Sequence, residues 1–208
     1  MKILLIGASG MVGSRILAEA VSRGHQVKAA ARNPAKVAKA PGVEAIALDA
    51  NNSDAIATAA SDADVIVSAT SPRSGGDPVA EALGVGKALV AAAGKTGARV
   101  FVVGGAGSLS LPDGTPLAET LPDAYRGEAL GMRGVRDLLK ASALDWTFLS
   151  PAAVIAPGKR TGVYRLGSTT LMSDDKGESR ISAEDYAKAV IDELESPSHS
   201  RQHFSVAY

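Results

Sequence analysis

The chain has 208 residues, 46% of them apolar, with 22 basic against 22 acidic side chains and no cysteine. That is enough apolar material for one good core, while a balanced charge without a basic run offers no counterion-releasing patch to a nucleic acid or an anionic membrane. The lack of cysteine excludes disulfides, thiolate metal sites and a thiol nucleophile, and fits a reducing compartment.

Residues 3–6 form too short an apolar stretch for a signal-peptide core, and no later run reaches bilayer-spanning length, so a cytoplasmic protein without a membrane partner is expected. His25, His199 and His203 are scattered without the spacing of a metal site, and no metal is expected.

Short β-rich runs alternate with stretches of helical period through the first two-thirds of the chain. The pattern predicts strands at residues 2–6, 26–30, 44–47, 65–68, 100–103 and 147–149, with helices at 12–22, 35–39, 54–60, 78–96 and 123–142. Six strands with crossover helices predict an α/β fold, a Rossmann-type doubly wound parallel sheet with helices on both faces.

Beyond Pro151 the alternation breaks. Residues 157–167, rich in Pro, Gly and basic side chains, read as a loop over one edge of a ligand cleft. A capping-box-like Ser182-Ala183-Glu184-Asp185 opens a last helix with Tyr186, Ala189, Val190 and Leu194 at helical spacing, and residues 203–207 alternate as a final strand. No repeat or low-complexity tract interrupts this plan, so a single domain is expected over residues 1–208, with 151–208 a small extension on the substrate side.

The strongest motif follows the first strand and opens the first helix: Gly7-Ala8-Ser9-Gly10-Met11-Val12-Gly13. The first glycine permits the tight turn, the second lets backbone N–H groups approach a pyrophosphate, and the third lets helix and strand pack closely. The helix N-terminus then presents unpaired donors and the positive end of its dipole to phosphates. A nicotinamide dinucleotide is therefore the expected cofactor.

Roughly 20 residues further on, where an NAD-specific fold places an acid against the ribose hydroxyls, the second strand ends instead in Ala31-Arg32-Asn33. The Arg32 guanidinium suits a 2′-phosphate, so NADP(H) is preferred over NAD(H). Asp49 and Ala50 follow the third strand, where Asp49 either meets the adenine edge or organises a surface turn with Asn51 and Asn52. Ala69 and Thr70, after the fourth strand, are expected beside the pyrophosphate and ribose, because ligands sit beyond the carboxyl ends of parallel strands.

After the fifth strand, Gly104-Gly105-Ala106-Gly107-Ser108-Leu109 brings bare backbone and a hydroxyl to the same edge. Gly104 and Gly105 leave room for a flat ring, and Ser108 is the candidate catalytic residue for polarising a substrate carbonyl. No tyrosine is followed four residues later by a lysine: Tyr125 pairs with Ala129, Tyr164 with Ser168 and Tyr186 with Val190. Aligning on Asp145-Trp146-Thr147 puts Glu128 and Met132 where such a pair would stand. Ordinary alcohol dehydrogenation needs that phenol and ammonium, whereas direct hydride transfer to a flavin or quinone does not.

The chain resembles the NmrA-like, atypical short-chain dehydrogenases and, among them, the bacterial family labelled NADH-flavin reductase. The resemblance runs from Gly7-Ala8-Ser9-Gly10 through Gly104-Gly105-Ala106-Gly107-Ser108-Leu109 and Asp145-Trp146-Thr147-Phe148-Leu149-Ser150-Pro151 to Pro157-Gly158-Lys159-Arg160-Thr161-Gly162. It ends in Gly177-Glu178-Ser179-Arg180-Ile181-Ser182 and Glu184-Asp185-Tyr186-Ala187. It implies a nicotinamide against Ser150, Pro151 and Ala152, and an acceptor pocket lined in part by Tyr125, Arg160 and Tyr164. The activity it implies is hydride transfer from NAD(P)H to a small flat acceptor, with a flavin as a possible substrate, in a monomer or homodimer. The competing readings are a non-catalytic redox sensor of the NmrA type and, third, an NAD-dependent epimerase or isomerase.

Overall fold

The computed structural model describes residues 1–72 and 75–208. Strands β1 (Lys2–Ile6), β2 (Gln26–Ala31), β3 (Val43–Ala47), β4 (Val65–Ser68), β5 (Arg99–Val103) and β6 (Trp146–Pro151) alternate with helices α1 (Met11–Ser22), α2 (Ser53–Ala59), α3 (Pro78–Thr96), α4 (Leu117–Thr120) and α5 (Asp123–Lys140). The remaining chain gives β7 (Val154–Ala156), β8 (Arg165–Gly167), β9 (Arg180–Ser182), α6 (Ala183–Glu195) and β10 (Gln202–Ala207).

The main sheet runs in the order β3-β2-β1-β4-β5-β6-β10-β8, parallel throughout except for the antiparallel β10–β8 pair, and β7 and β9 form a separate parallel pair. This is the expected Rossmann-type α/β architecture. Its strand order reverses between β1 and β4, which makes that crevice the topological switch point.

Burial on both faces explains why the central strands read as continuous apolar runs. One face of β1 and β4 (Ile3, Leu5, Val65, Val67) packs on Ile16, Leu17 and Ala20 of α1 and on Tyr186, Val190 and Leu194 of α6. The other (Leu4, Ile6, Ile66) packs on Leu89 and Ala92 of α3 and, through β5 and β6, on Met132, Val135 and Leu139 of α5. Helices α3 and α5 lie close together because a β-carbon on Gly131 would come within 2.8 Å of the Pro78 carbonyl oxygen. Their Gly- and Ala-rich surfaces are thus used inside the fold.

The helix ends follow local chemistry. Asp77 caps α3 by accepting from the Val79 N–H, Pro78 takes the first turn, and Gly97 closes the helix in the left-handed conformation at φ 73°. Ser182 caps α6 by accepting from the Asp185 N–H at 3.0 Å. The second half of that box is different from the sequence expectation: the Ser182 N–H donates to the Tyr208 hydroxyl, while the Asp185 carboxylate accepts from the Thr161 and Gly162 N–H groups and from Tyr208.

Residues 35–39 do not form the predicted helix. Only a single 3₁₀ turn forms, at Pro34–Lys36, and Val37 then leaves in extended conformation with its side chain buried. Burying that one apolar residue outweighs the weak helical tendency of so short a segment. No periodicity in the sequence marks β7, β8 and β9, each only three residues long.

Candidate dinucleotide site

The loop after β1 is built from backbone in close contact. Gly7 has φ +86°, and a β-carbon there would stand 2.5 Å from the Ala69 carbonyl oxygen; one on Gly13 would stand 2.1 Å from the Gly7 oxygen. Real β-carbons do not approach backbone so closely, so only glycine fits at either position. The Gly7 and Ala8 N–H groups both donate to the Ala30 carbonyl of β2, the Ala69 N–H donates to Ile6, and the Gly10 N–H donates to Gly7. The turn is therefore locked between the ends of β2 and β4, the two neighbours of β1.

Helix α1 starts at Gly10 without a side-chain cap and without an acid in its first turn. Its first N–H groups are consequently available, together with the positive end of its dipole, at the switch point of the sheet. A cradle that excludes a β-carbon at Gly7 and at Gly13, under an uncapped helix, fits a pyrophosphate. The Ser9, Gly10 and Met11 positions on its rim are exposed, and Val12 is half-buried.

The other expected contacts all follow carboxyl ends of adjacent strands. Arg32 is exposed immediately after β2. After β3, Asp49 is exposed and its carboxylate accepts from the Asn51 backbone and side-chain N–H groups at 3.0 and 3.2 Å, the surface-turn alternative; Ala50 is half-buried beside it. Ala69 and Thr70 follow β4, and the Thr70 hydroxyl lies 3.1 Å from that of Ser68. Gly104 is held flat against β6, where a β-carbon would come within 2.3 Å of the Phe148 ring, and its N–H donates to the Leu149 carbonyl at 2.8 Å. The Gly105 carbonyl accepts from Ser150 Oγ at 3.0 Å. Ser150, Pro151 and Ala152 end β6 as buried residues, with the Ser150 hydroxyl turned inward to Gly105 and to His203 Nε2 at 2.9 Å.

Ser108 does not sit as a catalytic hydroxyl should. It is 4% exposed in a 3₁₀ turn, its carbonyl accepts from Arg136 Nη1, and its buried Oγ has no hydrogen-bond partner among the described residues. A group that polarises an incoming substrate has to face the cleft, and this one faces the interior.

Arg160 and Tyr164 are likewise not at an acceptor pocket. Arg160 forms a paired contact with Glu19 of α1, Nε to Oε2 and Nη2 to Oε1, both at 2.8 Å. Tyr164 donates its hydroxyl to Asp192 in the last turn of α6, beside Lys188 and Arg23. Helix α6 runs down toward the amino end of β10, so Asp192 stands at the sheet edge opposite the glycine loop. The segment 157–164 covers the α1–α6 flank rather than the cleft. Tyr125 is different: it is 63% exposed in the first turn of α5, whose N-terminus lies on the carboxyl side of the sheet.

The electrostatics of that flank are structural. Glu19 is buried and its carboxyl is held below the usual range by the Arg160 hydrogen bond, against the cost of burial and with help from Arg23. Tyr186, fully buried, donates to the Leu149 carbonyl at 2.7 Å, and burial pushes its phenol above the ordinary tyrosine range. One histidine has a place that the spacing does not foretell: His203 is buried and bonded to Ser150. Strand alternation places residues 203, 205 and 207 on one face, but not which neighbour the ring would meet.

Among the described residues, no group of acids and histidines could hold a metal ion, and no helix is long and apolar enough to cross a membrane.

A glycine cradle at the switch point of a doubly wound sheet, beneath a free helix N-terminus, defines a Rossmann-type dinucleotide-binding protein. The family model described as NAD(P)H-binding matches residues 7–197, and the chain belongs to that family. It is 40% identical over 215 residues to the uncharacterized protein YwnB of Bacillus subtilis (strain 168), covering 99% of this chain and 98% of the relative. A solved Burkholderia pseudomallei structure, described as a "putative exported protein", is 47% identical with a TM-score of 0.89 and full coverage of both chains. Another, from Streptococcus pneumoniae TIGR4 and described as a "putative NADH-flavin reductase", is 32% identical with a TM-score of 0.87, covering 100% of this chain and 99% of that one. These matches bear out the resemblance to NmrA-like, atypical short-chain dehydrogenases.

Proposed function

We propose that the chain is an NADP(H)-preferring reductase that passes a hydride from the nicotinamide to a flavin, quinone or similar flat acceptor. The observation that carries this reading is the cradle of Gly7 and Gly13 beneath the uncapped start of α1, with exposed Arg32 in the place of an acid after β2. The N–H groups at the start of α1 hold the pyrophosphate, Arg32 pairs with the 2′-phosphate, and flat backbone at Gly104 and Gly105 leaves space for rings. When bound, the dinucleotide supplies the hydride; the protein binds, orients and excludes water, and a reduced flavin takes its proton from solvent. The Streptococcus pneumoniae relative supports a flavin as the acceptor.

The tyrosines favour a second reading, a dinucleotide-binding regulator. Tyr164, Tyr186 and Tyr208 are tied to Asp192, Leu149 and Asp185, which leaves exposed Tyr125 as the one phenol on the cleft side. The deciding experiment measures oxidation of NADPH and NADH with riboflavin and with a quinone, beside calorimetric binding of both dinucleotides. Turnover supports the reductase, tight binding without turnover on any acceptor supports the regulator, and no binding overturns both.

A further inference from the structure

The backbone at Gly104 and Gly105, which follows the carboxyl end of β5, is held by one residue of the last strand. His203 stands opposite Phe148 in the parallel β10–β6 register, and its imidazole meets the Phe148 ring edge-on, with centroids 5.1 Å apart. That phenyl ring is the surface against which Gly104 lies, so close that a β-carbon on Gly104 would stand 2.3 Å from it. The same imidazole is bonded through Nε2 to the Ser150 hydroxyl at 2.9 Å, and that hydroxyl donates to the Gly105 carbonyl at 3.0 Å. The Gly105 carbonyl also accepts from the Ser108 N–H at 3.0 Å, across the 3₁₀ turn Ala106–Ser108. One side chain thus supports two consecutive glycines, each through a fully buried neighbour on β6.

The direction of this chain of bonds is fixed. The Ser150 hydroxyl has one hydrogen and gives it to Gly105, so its oxygen receives Nε2–H from His203 and Nδ1 carries no proton. Burial, then Arg136 and Lys140, keep the ring neutral by lowering its pKa to about 4 against the opposing Asp137. His203 is buried, and Nδ1 has no partner among the described residues. A buried polar atom without a partner costs free energy, whereas a phenyl side chain at this position would meet Phe148 without that cost. What the imidazole adds over such a side chain is its bond to Ser150. Tyr186 acts in the same way from the opposite face of the sheet: it donates to the Leu149 carbonyl, which also accepts from the Gly104 N–H.

We propose that His203 is a positioning residue of the dinucleotide site: through Ser150 and Phe148 it holds the Gly104-Gly105 backbone in the flat path that leaves space for the nicotinamide ring, without touching the cofactor itself. The inference rests on the dinucleotide reading above and deepens it at the nicotinamide end. Without the Nε2–H bond the Ser150 hydroxyl can rotate away, and the Gly105 carbonyl keeps only the Ser108 N–H. The Gly105 peptide can then turn into the space meant for the ring. Binding of the nicotinamide half weakens, while the adenosine half, held at the Gly7–Gly13 loop and Arg32, is unaffected.

The test compares, by calorimetry on the intact protein, NADPH with adenosine 2′,5′-bisphosphate, which carries the adenosine half of that cofactor and no nicotinamide. His203→Phe keeps a ring against Phe148 and removes the donor; Ser150→Ala cuts the next link. Each should weaken NADPH by about three- to tenfold and leave the bisphosphate within about twofold. The double variant should bind no more weakly than either single one, since both cut the same chain. His203→Gln, whose amide nitrogen can take the place of Nε2, should recover most of the loss. In the free protein, amide hydrogen exchange at Ser108 should quicken in both single variants, while that at Gly10, bonded to Gly7, stays unchanged. Equal losses for both ligands, additive losses in the double variant, no recovery in His203→Gln, or wild-type NADPH affinity and exchange in the single variants overturns the proposal. Wild-type protein that binds NADPH but reduces no acceptor overturns the reductase reading alone, so the two failures are distinguishable.

Discussion

The Gly7 carbonyl oxygen lies directly beneath Gly13, so near that a β-carbon on Gly13 would stand 2.1 Å from the oxygen and 2.9 Å from its carbon. Both atoms are backbone and neither can swing aside. Gly13→Ala must therefore push α1 off β1, at a cost of about 1–3 kcal/mol for overpacking. A fall in melting temperature together with at least a tenfold weaker calorimetric affinity for NADPH is expected; wild-type affinity in the variant would mean the loop is not the phosphate cradle.

Arg32 discriminates between the cofactors if it meets a 2′-phosphate. Charge-assisted hydrogen bonds contribute about 1.5–3 kcal/mol, so Arg32→Ala should weaken NADPH by roughly 10- to 100-fold and leave NADH within about twofold. Equal losses for both dinucleotides would show stacking on adenine instead.

Glu19 and Arg160 make a pair with unequal burial, 7% against 50% side-chain exposure. Glu19→Gln takes the acid from Arg160 and one of three from Arg23, which keeps Asp192 and Glu195, and should cost about 1–3 kcal/mol, whereas Arg160→Ala should cost less than about 1 kcal/mol and leave acceptor KM unchanged. The folded Glu19 carboxyl is depressed below its ordinary 4.5. Its contribution is thus complete above that value and is lost as pH falls through the folded one. Urea melts should show Glu19→Gln losing less stability than wild type as pH is lowered from 5 to about 3.

Tyr186→Phe removes the hydroxyl that donates to the Leu149 carbonyl at 2.7 Å. That carbonyl keeps the Gly104 N–H, so the loss should stay at about 1–2 kcal/mol in chemical denaturation. Because β6 and the Gly104 turn share this bond, weaker dinucleotide binding is expected alongside it.

Ser108→Ala tests the inward hydroxyl. Deleting a buried polar atom that has no partner should change stability by less than about 1 kcal/mol, or raise it. Acceptor reduction should persist within about threefold; a loss of a hundredfold or more would return Ser108 to catalysis.

The parts that were legible in the sequence are those whose signal is local. Ile3 to Ile6 and Val65 to Val67 read as strands because burial on both faces demands unbroken apolar runs, and the glycine loop reads as a cradle because each glycine answers a steric demand of its neighbours. Arg160 and Tyr164 were illegible for the opposite reason. Their partners, Glu19 and Asp192, sit on helices remote in sequence, and nothing near residue 160 distinguishes a ligand-binding guanidinium from one paired with a buried acid. The same holds for His203: its place on a strand was predictable, its bond to Ser150 was not. Pro34 and Val37 show how one buried apolar side chain can stop a short helix before it starts.

The strand order β6-β10-β8 imposes a sequence of events on assembly. As the chain is synthesised, β8 precedes β10 yet can join the sheet only through it, at the Leu166–Val206 register. Until β10 arrives, β6 presents a bare, apolar edge, and Arg165–Gly167 has nothing to pair with. That interval is when another copy's strand could take the vacant place, so the nascent chain is most exposed to mispairing just before the fold closes. Closure by β10 then does in one step what no earlier strand can: it seals the edge of β6 and recruits β8.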